Sequence, residues 1–235
     1  MQKLLLIVPA FNEEASLPTT IEALRTQPYD FIIVNDGSSD HTAEIAKQMR
    51  APVIDLPFNQ GIAGAFLAGM QYAKTHGYTY VLQFDADGQH LPQYIEPMLK
   101  EAVETNTDIL IGSRFRDQPM PKSLRTFGSV LIRWMLRLTT GQVLRDPTSG
   151  MRMYNRRMID FFSARTDLTP EPDTIAYLMR NGVRVGEYPV TMRERIAGTS
   201  YLGSWLAIKY MSRMAFSILM IQFVRSRIRE REVLV

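Results

Sequence analysis

The chain contains no cysteine, which excludes disulfides, thiolate metal sites and cysteine nucleophiles and suits a reducing compartment. It has no apolar run of the ~18 residues that a membrane-spanning helix needs. The amino-terminal run Leu4 to Val8 is too short for a secretory leader, and Asn12, Glu13 and Glu14 follow it too soon. These absences predict a protein on the cytoplasmic side. The first predicted strand runs into Pro9-Ala10-Phe11-Asn12-Glu13 instead of Gly-x-Gly-x-x-Gly, and there is no Gly-Lys-Ser/Thr loop. A dinucleotide-binding dehydrogenase and a P-loop nucleotidase are therefore disfavoured. Basic residues are not interleaved with aromatics along one face outside the tail, which argues against nucleic acid as a partner.

What is present is an alternating pattern over 235 residues with a net charge of +3, enough chain for one large domain or a domain with an appendage. Apolar runs at Leu4 to Val8, Phe31 to Val34, Pro52 to Leu56, Tyr80 to Phe84 and Ile109 to Ile111 read as strands covered on both faces. Pro9 is expected to end the first. A helix starting at Asn12, Glu13 and Glu14 follows, with Leu17, Ile21 and Leu24 at helical spacing. Strands alternating with helices predict an α/β fold with a mostly parallel sheet and a ligand outside the strands' carboxyl ends.

Asp36, Asp85, Asp87 and Arg114 all fall at those ends. In Asp85-Ala86-Asp87-Gly88-Gln89-His90 the two carboxylates stand two apart, so their side chains point the same way off a strand. Like charges held that close repel unless a cation lies between them, and Mg²⁺ or Mn²⁺ prefers such oxygens. A polar turn at Gly88 explains the three residues equally well alone; four charged residues gathered on one edge favour the functional reading.

Seven ordered motifs then resemble one family. They are Val8-Pro9-Ala10-Phe11-Asn12-Glu13-Glu14, Asn35-Asp36-Gly37-Ser38-Ser39-Asp40-His41-Thr42, Asn59-Gln60-Gly61, Asp85 to His90, Gly112-Ser113-Arg114-Phe115, Asp146-Pro147-Thr148-Ser149-Gly150 and Arg195-Ile196-Ala197-Gly198-Thr199-Ser200. In this order they are similar to family 2 glycosyltransferases of the GT-A fold, and most to the dolichyl- or polyprenyl-phosphate sugar transferases. The resemblance implies inverting transfer of a sugar from a nucleotide-diphosphate donor with Mg²⁺ or Mn²⁺. The acceptor it implies is a polyprenyl phosphate or a lipid-linked saccharide, in cell-surface glycan synthesis. A UDP-sugar is the preferred donor and GDP-mannose the alternative.

Carried over by position, the resemblance places Pro9, Phe11, Glu13, Val34 and Asp36 around the nucleoside, with Asp85 and Ala86 on the ribose or sugar side. Asp87, Gln89 and Asp85 would hold the metal, and Arg114 and Arg195 would clamp phosphates. Tyr201 stands where the family often has a phosphate-binding lysine. His90 is expected to support the site, not to act as a base. Asp146, Ser149 and Gly150 either shape the acceptor side or form a turn. Glu171 and Asp173 are candidate bases for an acceptor hydroxyl, or they cap the helix from Thr174 to Arg180.

The expected organisation is a catalytic domain over 1–200 and an amphipathic, basic helix over 201–235. That helix would lie on a membrane surface, dock on the domain, or pair with a second copy in a homo-oligomer. Arg125, Arg133 and Arg137 recur at helical spacing and either guide an anionic lipid head or form a solvated face. A non-catalytic nucleotide-sugar-binding or membrane scaffold protein is the alternative from another class.

Overall fold

The computed structural model describes residues 2–117, 124–165, 167–193 and 211–220; Arg195 and Tyr201 lie outside this set. The strands are β1 (Leu4–Ala10), β2 (Asp30–Asn35), β3 (Val53–Asp55), β4 (Tyr80–Gln83), β5 (Ile109–Ser113), β6 (Arg152–Asn155) and β7 (Val185–Pro189). The helices are α1 (Leu17–Arg25), α2 (Thr42–Gln48), α3 (Gly61–Thr75), α4 (Ile95–Glu104), α5 (Leu124–Thr140), α6 (Arg156–Ser163), α7 (Pro172–Arg180) and α8 (211–220).

The strands form one sheet in the order β3-β2-β1-β4-β6-β5-β7. All neighbours are parallel except β6, which is antiparallel to both β4 and β5. Both faces are covered, which is why the strands read as continuous apolar runs. Leu5, Ile7 and Val34 pack with Phe66 of α3, Phe162 of α6, Leu136 of α5 and Ile175 of α7. Leu4, Leu6 and Val8 face the other way, onto Leu17 and Ile21 of α1, Ala46 of α2 and Met98 of α4. Each fully buried Leu or Ile contributes roughly 1.5–3 kcal/mol by leaving water.

Two local expectations are corrected. β1 does not stop at Pro9 but continues to Ala10, with Pro9 in register with Val34. On the β4 side the ladder has already ended, since its last pair is Ile7 with Gln83 and Phe84 N–H donates to the Ile7 carbonyl. Backbone groups alternate sides along a strand, so the N–H that proline lacks would have pointed at that vacated edge. α1, in turn, does not begin at Asn12 to Glu14. Asn12 has φ 55°, in the left-handed region, and helical geometry starts only at Leu17, beside Pro18 in the first turn.

The chain lays down β1, β2 and β3 in one direction, then returns to place β4 on the other side of β1. The crevice at that switch point opens beyond the carboxyl ends of β1, β2 and β4. Because β6 runs the opposite way, the loop that enters it, Asp146 to Met151, arrives at this same edge, with Arg152 opposite both Gln83 and Ile111.

α8 packs on the body by Met214, Ala215 and Ile218, all buried. Its Met211 side chain fills the space over Gly128 of α5, where a Cβ would come within 2.5 Å of it. Ser217 Oγ donates to Asp173 Oδ2 of α7 at 2.5 Å. This much of the carboxyl-terminal segment is therefore docked on the domain. Among the described residues no helix is long and apolar enough to cross a membrane.

Candidate active site

The loops leaving β1 and β2 are knitted to each other before any ligand enters. Asn12 N–H donates to Ser38 Oγ at 3.0 Å, and Glu13 N–H to Thr42 Oγ1 at 2.8 Å. Glu13 itself accepts from Ser16 Oγ at 2.5 Å. Asp36 is buried, and its Oδ1 accepts the Gln60 N–H at 2.8 Å. Burial pushes its carboxyl up, against the pull of the Gln60 and Gly61 backbone groups. Between them, Gly37 sits at φ +64°, and a Cβ there would fall 2.5 Å from the Phe58 carbonyl carbon. Only glycine allows the 58–60 segment to close over Asp36. Phe11 and Pro9 line the same edge at intermediate exposure, whereas the Val34 side chain lies in the core beneath α3.

β4 delivers the acidic loop. Ala86 is buried and its carbonyl accepts from Thr20 Oγ1 of α1 at 3.0 Å, pinning the loop to the body. Asp87 is 4% exposed, with Oδ1 accepting the Gln89 N–H at 3.0 Å. Asp85 has a half-exposed carboxylate whose Oδ2 lies against Gly150; a Cβ there would come within 2.5 Å of it.

His90 explains how Asp85 is held. The buried ring receives the Asp85 backbone N–H on Nδ1 at 2.9 Å, so a neutral ring carries its proton on Nε2, and Nε2 is 3.5 Å from Asp85 Oδ2. The ring also packs edge-on against Phe84, with centroids 5.4 Å apart. His90 thus supports the carboxylate from below.

Gln89 joins this loop to the chain after β7: its Nε2 donates to the Arg193 carbonyl at 3.3 Å and its own carbonyl accepts the Arg193 N–H at 3.0 Å. The amide nitrogen being the donor, Oε1 is the acceptor end. Among the described residues no three His, Cys, Asp or Glu side chains form a metal cage. Mg²⁺ and Mn²⁺ do not require one: one or two carboxylates suffice when substrate phosphates and waters complete the shell. Asp85, Asp87 and the Gln89 amide oxygen, an all-oxygen donor set, fit such an ion.

Arg114, at the end of β5, is not a free cation. Asp146 grips it with its Oδ2 accepting from the Arg114 backbone N–H at 3.0 Å and Nε at 2.7 Å, and Oδ1 accepting from Nη2 at 2.8 Å. The arginine side chain keeps 38% of its exposure while Asp146 keeps none. Two of the guanidinium's five N–H donors are spent on positioning, which leaves both on Nη1 and the second on Nη2 to meet an anion. Glu187 of β7 clamps the loop behind Asp146, accepting the Arg145 and Asp146 N–H groups at 2.8 and 2.6 Å.

Two residues that sequence reasoning passed over complete the edge. Glu187 is one, and Arg152 is the other: buried, it donates to the carbonyls of Ser149 at 2.8 Å, Pro147 at 2.7 Å and Pro170. The only signal for it was an arginine inside the apolar run Met151-Arg152-Met153-Tyr154, where a charge must find partners.

Glu171 and Asp173 separate in role. Asp173 is consumed by Thr174 N–H and Ser217 Oγ, as a helix-end residue would be. Glu171 occupies the N-cap position of α7 but its side chain makes no cap hydrogen bond. Burial raises its carboxyl above the ordinary 4.5, the Asp173 charge adds to this, and Arg213 and Arg152 oppose it. A carboxyl raised in the folded state favours folding most when both states are protonated, and that advantage is lost as pH climbs through the folded value. Glu171→Gln is therefore expected to unfold at a higher temperature than the parent at pH 7–8 and at the same temperature below the ordinary 4.5; melting curves across this range check it.

Residues 5–162 match the family model described as glycosyl transferase family 2. The chain is 33% identical over 216 residues to an undecaprenyl-phosphate mannosyltransferase of Micrococcus luteus, covering 84% of this chain and 86% of that one. It is 28% identical over 214 residues to a UDP-N-acetylglucosamine–dolichyl-phosphate N-acetylglucosaminyltransferase of Methanococcus voltae, with 79% and 83% covered. Among solved structures, glucosyl-3-phosphoglycerate synthase of Mycobacterium tuberculosis, in complex with Mn²⁺, uridine diphosphate and phosphoglyceric acid, superposes with a TM-score of 0.64 at 18% identity, over 96% of this chain and 80% of that one.

Proposed function

This chain belongs to glycosyl transferase family 2 and has the GT-A fold, and from that premise we propose that it moves a sugar from a nucleotide-diphosphate donor to a polyprenyl phosphate with inversion. The observation that carries the reading is that Asp36, Asp85, Asp87 and the Arg114–Asp146 pair all stand at the carboxyl edge of the sheet, after β2, β4 and β5. The relatives' lipid-phosphate acceptors support the acceptor class; the UDP in one relative's name and in the structural neighbour supports a UDP-sugar, and the mannosyltransferase relative keeps GDP-mannose as the alternative.

In this reading Phe11, Glu13 and Asp36 receive the nucleoside, with Pro9 and Ala86 shaping the walls. Asp87, Asp85 and Gln89 hold a divalent cation, which, when bound, neutralises charge on the departing diphosphate. His90 keeps Asp85 turned toward the crevice. Arg114, preoriented by Asp146, presents its remaining N–H groups to a phosphate, and Arg195 is a second clamp. The acceptor oxygen attacks the anomeric carbon from the face opposite the leaving diphosphate. A lipid phosphate is anionic already and needs no base; a lipid-linked saccharide would use Glu171, which burial makes a stronger base than an ordinary carboxylate. We also place the protein at the membrane surface as a peripheral enzyme, with 1–200 as the catalytic domain and 201–235 as an association segment.

The test is a thermal-shift panel of UDP, GDP, CMP and dTDP, each with Mn²⁺, Mg²⁺ or chelator, because a ligand that binds only the folded state raises its melting temperature. A shift with UDP that needs the metal is expected. No shift with any nucleotide would remove the catalytic reading and favour a membrane scaffold.

A further inference from the structure

α5 is pinned at the site by both ends. The segment that leaves β5 at Arg114 returns at Asp146, and the guanidinium–carboxylate pair at 2.7 Å closes the base of the insertion. One face of α5 is core, with Ile132 and Leu136 fully buried. On the opposite face Val130, Trp134 and Leu138, spaced by four, are 43%, 64% and 64% exposed. That is a continuous apolar stripe along one helix face. The neighbouring α8 exposes Phe216 at 65% and Met220 at 39%, again four apart.

The charges carried by the two helices themselves have one sign: α5 has Arg125, Arg133 and Arg137 and no acidic residue, and α8 has Arg213 and none. On the helix, Arg133 and Arg137 border the apolar stripe on one side. Aromatic and aliphatic side chains flanked by arginines match the boundary of an anionic bilayer, where the rings enter and the guanidinium groups stay with the headgroups. A second copy of the chain fits less well, because a two-fold pairing of this face would set arginine against arginine with no carboxylate between them.

We infer that the outer face of α5, continued by Phe216 and Met220 of α8, is the surface by which the protein docks on anionic membranes. This deepens, and rests on, the reading of the site as acting on a lipid phosphate: docking by α5 holds the Arg114–Asp146 pair over the headgroup layer, so the acceptor reaches the crevice without leaving its bilayer. It assigns docking to a helix inside the catalytic domain, in addition to the carboxyl-terminal segment.

The experiment needs neither donor nor metal. Trp205→Phe leaves Trp134 as the single tryptophan, and its emission is followed on adding vesicles of phosphatidylcholine alone or mixed with phosphatidylglycerol. A blue shift with the mixed vesicles, quenched by brominated acyl chains and weakened by salt, is expected. In the otherwise native chain, Trp134→Ser with Leu138→Ser should cut the fraction sedimenting with mixed vesicles at least about tenfold. Transfer to a short, water-soluble prenyl phosphate should be unchanged. Unshifted emission, native-like sedimentation of the double variant, or a lipid-free dimer in light scattering that the double variant abolishes would overturn the inference. Failure of the nucleotide panel would leave the vesicle results standing, and the reverse also holds, so the two readings fail separately.

Discussion

Asp87→Asn is expected to lower sugar transfer by at least about a thousandfold while leaving the fold intact. Removing a single preorganised donor from an active site already costs about 10²–10³ in rate, and Asp87 is proposed to hold the ion that neutralises the leaving diphosphate. The amide keeps the shape of the carboxylate, and its oxygen can still accept the Gln89 N–H that Asp87 now receives at 3.0 Å. Melting temperature without ligand should therefore stay close to the parent's. The metal-dependent part of the UDP shift should disappear, whereas a weak metal-independent shift from the Asp36 side survives. Parent-like turnover by a purified Asp87→Asn protein would show that the ion, if used, is held elsewhere.

Asp146→Asn is expected to damage both stability and activity. Asp146 has no exposure and receives three hydrogen bonds from Arg114. An asparagine offers an N–H₂ where the guanidinium needs an oxygen, so one arm of the fork faces a donor and the charge loses its partner. Breaking a fully buried pair from one side costs about 3–5 kcal/mol, and because Arg114 keeps contact with water we expect roughly 3 kcal/mol in urea unfolding, with an unchanged m-value. The loss in kcat/KM should exceed what destabilisation explains, measured well below the melting temperature. Arg114→Lys separates the two effects: it keeps the charge but not the fork. It should recover more stability than activity, which equal recovery of both would contradict.

These two positions were not equally legible beforehand. Asp87 stands out in the chain itself, because a carboxylate two residues from another, after an apolar strand and before a glycine, is an expensive arrangement without a purpose. Asp146 read either as shaping the acceptor side or as a turn before Pro147, and not as the partner of Arg114. Its importance depends on β6 running antiparallel between β4 and β5, a long-range pairing that brings residue 146 back against residue 114. No local periodicity encodes which edge of the sheet a later loop will reach. Arg152 was missed for the same reason: its acceptors, the carbonyls of Pro147, Ser149 and Pro170, are brought around it only by the folded loops.

By itself the sequence determined the alternating α/β class, the five parallel strands with their apolar cores, and the sheet edge on which Asp36, Asp85, Asp87 and Arg114 would meet. Those features follow from local physics: runs of apolar residues demand cover on both faces, and side chains at strand ends have nowhere to point but the crevice. The tertiary structure alone decided that Pro9 stays inside β1, that Arg114 is gripped by Asp146, that Asp173 ties α7 to α8 while Glu171 does not cap, and that α5 turns Trp134 and Leu138 outward. Each of these depends on which distant segment arrives as a neighbour, and that is settled by the packing of the whole sheet and its two helical layers.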